Sequence, residues 1–129
     1  MSKAYGEALG RYYADKFDLE VACLRIGAAL ERPRTRRHVS CWLSYPDLWR
    51  LVRACLVTHR IGFTIVYGQS ANDRAWWDNR QASHLGYRPE DNSEVFLPEI
   101  ERTTPRPDPA DPEIRFIGGR FAKDGYVKR

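Results

Sequence analysis

Between positions 32 and 38 the chain reads "RPRTRRH". This is its one true basic cluster. A guanidinium is a planar fork that matches a carboxylate or phosphate. One of Arg32, Arg34, Arg36 or Arg37, with His38 beside them, could therefore clamp an acidic substrate. The plainer alternative is a solvated, salt-bridged loop. A third is contact with nucleic-acid phosphates, which would weaken steeply with salt. The other residues that carry chemistry do not converge. His38, His59 and His84 have no metal-ligand spacing and read as surface or helix-end histidines. Cys23, Cys41 and Cys55 are odd in number and lack CxxC or CxxH spacing, so neither a disulfide framework nor a zinc site is indicated. Trp76-Trp77 reads as packing rather than a base-stacking platform, because only Arg74 and Arg80 flank it. No glycine-rich turn follows a strand and opens a helix, so the dinucleotide-binding fingerprint is absent. "YGQS" (67–70) is only a strand-to-helix turn.

The net charge of +4 invites a nucleic-acid partner without establishing one, since the basic residues are interleaved with 17 acids. Hydrophobic residues make up 43%, enough for a packed core and too many for a disordered chain. No apolar run approaches the roughly 20 residues that span a membrane. The N-terminus lacks the layout of a signal peptide, and a reducing cytoplasm is the expected compartment.

These residues need elements to position them. Residues 2–17 read as an amphipathic helix, with Tyr5, Leu9, Tyr12 or Tyr13, and Phe17 at helical spacing. Gly6 and Gly10 cost helix propensity and point to a close helix contact. "LEVACLRIG" (19–27) reads as a strand covered on both faces. Residues 28–43 read as a polar loop. Residues 44–59 form the clearest helix, with Ser44 and Asp47 as an N-cap signature and Pro46 in the first turn. Leu48, Leu51, Val52, Cys55 and Leu56 make its apolar stripe. "GFTIVYG" (62–68) is a second buried strand. Residues 70–87 start with Ser and Asn caps and carry a helix ending near Gly86. Another short helix starts within 91–100, capped by Asp91 or Asn92. From Thr103 the prolines predict an extended tail, whose apolar end packs back on the body or on a neighbouring subunit.

The order is helix, strand, helix, strand, helices, which is α/β order. Two parallel strands with apolar faces are not stable alone and need further strands beside them. The chain therefore reads as the last third to half of a doubly wound domain. A ligand would sit beyond the carboxyl ends of the strands, which places residues 28–40 at the ligand edge.

Several stretches are specific enough to name a family. "SKAYGEALGRYYADKF", "CLRIG", "RRHVSCWLSYPDLWRLVRACL", "VYGQSANDRAWWDN", "HLGYRPEDNSEVF" and "TTPRPDPADPEIRFIGGRF" together resemble the C-terminal half of uronate dehydrogenases. These belong to the NAD-dependent epimerase/dehydratase group of extended short-chain dehydrogenases. The resemblance implies the C-terminal portion of a Rossmann-like doubly wound sheet, with residues 1–102 in that domain and 103–129 as its proline-rich tail. It implies oxidation of a hexuronate to an aldarolactone, with NAD as cofactor and a homo-oligomer or a missing N-terminal half as partner. No nucleic acid, membrane or metal is implied.

By the same resemblance, Lys3 is the lysine of the Tyr-x-x-x-Lys motif, which binds the nicotinamide ribose and lowers the tyrosine's pKa. The tyrosine would lie four residues earlier, at a position this chain does not have. Tyr5 cannot replace it, being about 200° around the helix from Lys3. Arg37 matches the arginine that binds the substrate carboxylate, and Ala29 the backbone beside the nicotinamide. Ala28 stands where the family usually has a substrate-binding serine. The expectation is an isolated chain without activity, or an assembly partner of a separate N-terminal half, or a relative acting on another sugar.

Overall fold

The computed structural model describes residues 2–106, 108–112, 116 and 119–124. Helix α1 spans Ser2–Phe17, but none of its residues is buried. Tyr5, Leu9, Tyr12, Tyr13 and Phe17 all stay exposed, so the apolar stripe read from the sequence has no cover among the described residues. The expected close helix contact at the glycines is also not seen. A Cβ on Gly10 would lie 3.1 Å from Val21 Cγ1, so Gly10 lets α1 settle on the sheet, while one on Gly6 would meet nothing within 4 Å.

Strand β1 (Val21–Ile26) pairs in parallel with β4 (Phe63–Gly68), in a register that puts Arg25 opposite Tyr67 and Ile26 opposite Gly68. The burial expected on both faces of each strand is not reached. β4 alternates, with Thr64, Val66 and Gly68 buried, and β1 is half-buried as far as Leu24 and exposed after it. A two-stranded sheet cannot cover itself. The chain exposes 9444 Å², whereas a compact monomer of 15.0 kDa exposes about 7,000 Å².

The expected polar loop at 28–43 is more ordered than that. β2 (Ala28–Ala29) pairs in parallel with β3 (Trp42–Leu43). Helix α2 (Arg36–Cys41) lies between them, started by Thr35, whose hydroxyl accepts from the His38 amide at 3.3 Å. Helix α3 (Tyr45–Val57) begins as predicted, with Ser44 Oγ accepting from the Asp47 amide at 3.0 Å. Its inner face is rotated from the expected stripe, since Leu51 is shared but Asp47 and Ala54 are buried and Leu56 is 77% exposed. Leu51 joins Ile61, Val66, Ala82 and Leu85 in the core, between α3 and β4.

The helix expected over 70–87 shrinks to a 3-10 helix at Arg80–Leu85, ended by Gly86 at φ 64°. Ser70 and Asn72 do not cap it. Ser70 Oγ accepts from the Ser44 amide at 3.0 Å, and Asn72 Nδ2 donates to the Trp42 carbonyl at 2.8 Å. Such side chains satisfy distant backbone in place of a helix end. Further on, Asn92 caps a 3-10 turn at Ser93–Phe96, which runs into α4 (Leu97–Thr103). Beyond α4, Ala110 and Asp111 both donate to Asp108, and a 3-10 turn forms at Gly119–Ala122. No helix among the described residues is long and apolar enough to cross a membrane.

Candidate functional site

A cavity of about 910 Å³ opens beside β1 and the end of β4. Its walls come from distant parts of the chain: Lys3 and Glu7 from α1, Arg25 and Gly27 from the end of β1, Arg37 from α2, Tyr67 and Trp77 from β4 and the loop after it. Gly119 and Phe121 close one side. This is the strand end at which an open parallel sheet holds ligands.

The structure brings Lys3 and Arg37 to the same cavity and leaves Ala28 and Ala29 out of its lining. Those two alanines sit in the β2–β3 ladder, opposite Trp42 and Leu43. The arginines of the basic cluster separate clearly. Arg32 pairs with Glu99 at 2.9 Å and lies over the Phe96 ring. Arg36 pairs with Glu101 at 2.8 Å. The Arg34 amide donates to His38 Nδ1 at 3.2 Å. Of the four arginines, Arg37 is the one that lines this cavity. Its guanidinium lies under Gly119, where a Cβ would come within 3.2 Å of Cζ. Gly119 also has φ +58°, a conformation that side chains disfavour. The tail thus packs back on the body at the arginine.

Arg25, Glu7, Tyr67 and Trp77 were not anticipated as site residues. Arg25 Nε and Nη2 each donate to one oxygen of Glu7 at 2.7 Å, and Nη1 donates to the Tyr67 hydroxyl at 3.0 Å. These bonds, Glu7 first, push the Arg25 guanidinium still higher in pKa, and the same pair holds the Glu7 carboxyl below the usual range. The Tyr67 ring stacks on Trp77 at 5.1 Å with 14° between planes. Trp77 is therefore packing, as its sequence context indicated, and also cavity wall, whereas Trp76, expected to pack with it, is 50% exposed. Gly27 makes room for it: a Cβ there would be 2.6 Å from Trp77 Cη2 and 2.6 Å from the Cys41 carbonyl oxygen. Burial raises the Cys41 thiol, with Arg37 opposing. One signal was available in the sequence, a charged residue inside the otherwise apolar "VACLRI".

The histidines stay apart. His84 Nε2 meets Thr64 Oγ1 at 3.0 Å, and His59 is exposed. No group of three His, Cys, Asp or Glu side chains that could hold a metal occurs among the described residues.

Comparison with known proteins decides the family. Uronate dehydrogenase of Agrobacterium fabrum is 43% identical over 129 residues, covering 100% of this chain and 49% of that protein. Uronate dehydrogenase of Pseudomonas syringae pv. tomato is 43% identical over 125 residues, covering 97% and 45%. The chain is homologous to the C-terminal half of the uronate dehydrogenases. A third relative, NAD-dependent glucose-6-phosphate dehydrogenase of Haloferax volcanii, is 41% identical over 105 residues, 78% of this chain and 40% of that protein. Among solved structures, glucuronic acid dehydrogenase from Chromohalobacter salexigens matches with a TM-score of 0.92 at 41% identity, over 95% of this chain and 46% of that one. A mutant uronate dehydrogenase from Agrobacterium tumefaciens complexed with NAD also gives 0.92, at 43% identity, over 99% and 48%. The chain spans about half the length of the relatives it matches, and its fold is the corresponding part of their Rossmann-like fold. No protein-family model matches.

Proposed function

We propose that this chain supplies the lysine and anion-holding walls of a sugar dehydrogenase site for a hexuronate. One observation carries the reading: Lys3 and Arg37, 34 positions apart in sequence, line one cavity at the strand ends. Arg37 holds the substrate carboxylate in its fork, orienting the sugar ring. Lys3 is a pure donor and suits the ribose hydroxyl oxygens of NAD. When bound, NAD accepts a hydride. With NAD bound, the anomeric C–H would give up its hydride and the anomeric O–H its proton to a general base, leaving an aldarolactone. No described strand runs into a glycine-rich turn that opens a helix, the element that holds a dinucleotide's pyrophosphate in such folds.

The 129-residue chain is expected to be inactive alone. Tyr5 is 70% exposed and lies outside the cavity lining. The Tyr67 hydroxyl lines it but accepts from Arg25. Reduction of NAD by the purified chain with galacturonate or glucuronate, read at the nicotinamide absorbance, would overturn this. Galacturonate binding is a separate matter. R37Q should weaken it about ten- to hundredfold, the range for a hydrogen bond to a charged group, without altering binding of uncharged galactose. Equal loss for both sugars would remove Arg37 from the role.

A second reading rests on the exposed face of α1. With Tyr5, Leu9, Tyr12 and Phe17 uncovered, the chain pairs with a further copy or with a separate N-terminal half. Sedimentation as a well-folded monomer argues against it. The substrate is also open on one point. Ala28, which lies outside the cavity lining, carries no hydroxyl where the family usually has a serine, which leaves a different sugar acid or a sugar phosphate open. Competition between galacturonate and glucose 6-phosphate for the chain tests that choice.

A further inference from the structure

We infer that Arg25 is a positioning residue for Lys3, acting by holding Glu7 away from it. Lys3 and Glu7 are four residues apart on α1, and side chains at that spacing are neighbours. Glu7 is therefore the natural partner of the Lys3 ammonium. Arg25 takes that partner away. Its Nε and Nη2 each bind one Glu7 oxygen at 2.7 Å, so the fork occupies the whole carboxylate. No ion pair of Lys3 with an acid is found among the described residues. The ammonium is left to the cavity that it lines.

Arg25 is itself held in place. Its third nitrogen donates to Tyr67 at 3.0 Å, and its guanidinium lies over the Tyr67 ring at 5.6 Å. The β1–β4 register puts these two residues side by side, and the Tyr67 ring is stacked on Trp77. This explains an arginine in a strand that is otherwise apolar. A lysine there could not offer the same rigid two-point fork.

The inference rests on Lys3 serving this cavity, but its test needs neither turnover nor sugar. Failure of the dehydrogenase reading would therefore leave the result unchanged. The chain has four lysines, Lys3, Lys16, Lys123 and Lys128. Acetylation of each is followed by mass spectrometry, with Lys16 as the internal reference. Only the neutral amine reacts, so pairing with Glu7 slows it. R25Q should slow Lys3 about two- to fivefold relative to Lys16, the effect of one partly exposed ion pair. R25K, which keeps the charge but not the fork, should fall between, and it serves where R25Q does not fold. The double variant E7Q/R25Q should return to the wild-type rate. A purely structural brace makes the opposite prediction, with the double variant at least as altered as R25Q. An unchanged rate in R25Q, or no recovery in the double variant, would overturn the inference.

Discussion

Gly27→Ala adds one methyl at the most crowded point of the site. That methyl would sit 2.6 Å from the Cys41 carbonyl oxygen, 2.6 Å from Trp77 Cη2 and 2.8 Å from Cys41 Cβ. The indole can tilt, but the Cys41 carbonyl is backbone at the end of α2 and cannot. Overpacking of this kind costs about 1–3 kcal/mol. Because Gly27 does not have positive φ, alanine also narrows the unfolded ensemble, a gain of about 0.4–1 kcal/mol. The net expectation is a loss of about 1–2 kcal/mol. For a chain of this size that lowers Tm by roughly 3–8 °C. Thermal unfolding followed by tryptophan fluorescence reads both effects, since a displaced Trp77 loses its stacking on Tyr67. W77F in the G27A background relieves the indole clash but not the carbonyl clash, so recovery should be partial. A neutral or stabilised G27A would refute the packing of α2 and Trp77 around the turn. Full recovery in G27A/W77F would refute the role of the carbonyl.

Two other substitutions probe the frame around the site. Asp47 is fully buried and accepts from the Glu90 and Asp91 amides and from Arg50. D47A strands those donors and should destabilise by about 3–5 kcal/mol in urea titration, the cost of breaking a buried charged network. Tyr87 donates its hydroxyl to the Gln69 carbonyl at 2.8 Å, and burial, followed by Asp47, raises its pKa. The folded state thus keeps the proton more tightly than the unfolded chain. That stability is fully present below the unfolded value of about 10 and is lost as pH rises above it. Y87F should cost about 1 kcal/mol at neutral pH and flatten the alkaline loss of stability. An equal alkaline slope in both proteins would count against the assignment.

The main elements were legible because each rests on a local pattern. α3 has its capping serine and a Pro in the first turn, and β1 and β4 are short apolar runs bounded by turn residues. The failures share a physical cause. Ser70 and Asn72 have the residue types of helix caps, but they bond to Ser44 and Trp42, which are distant in sequence. The order within 28–43 was missed because β2 and β3 are two residues each and gain their pairing only from each other. Lys3 and Arg37 came from resemblance to a family. Arg25 and Glu7 could not, since their pairing depends on how α1 lies across β1. The strand that contains Arg25 showed an anomaly, but not its partner.

The position of Arg37 shows how far the site depends on the frame. Six-residue helices do not hold themselves in water, so α2 must be fixed from outside. Thr35 caps its first turn, and Ser93 Oγ donates to the Val39 carbonyl at 2.5 Å from a segment more than fifty residues away. Arg36 is drawn outward by Glu101 of α4. A helix turns by about 100° per residue, so fixing Arg36 on α4 turns Arg37 toward another side, here the cavity. Arg32, Arg36, Glu99 and Glu101 are then the solvated, salt-bridged face that composition alone suggested for the whole cluster. That face takes up two arginines of the cluster, while Arg37 is the one whose side chain lines the cavity. Two of the three sequence interpretations of "RPRTRRH", the salt-bridged loop and the proposed anion clamp, thus fall on different residues of the same seven.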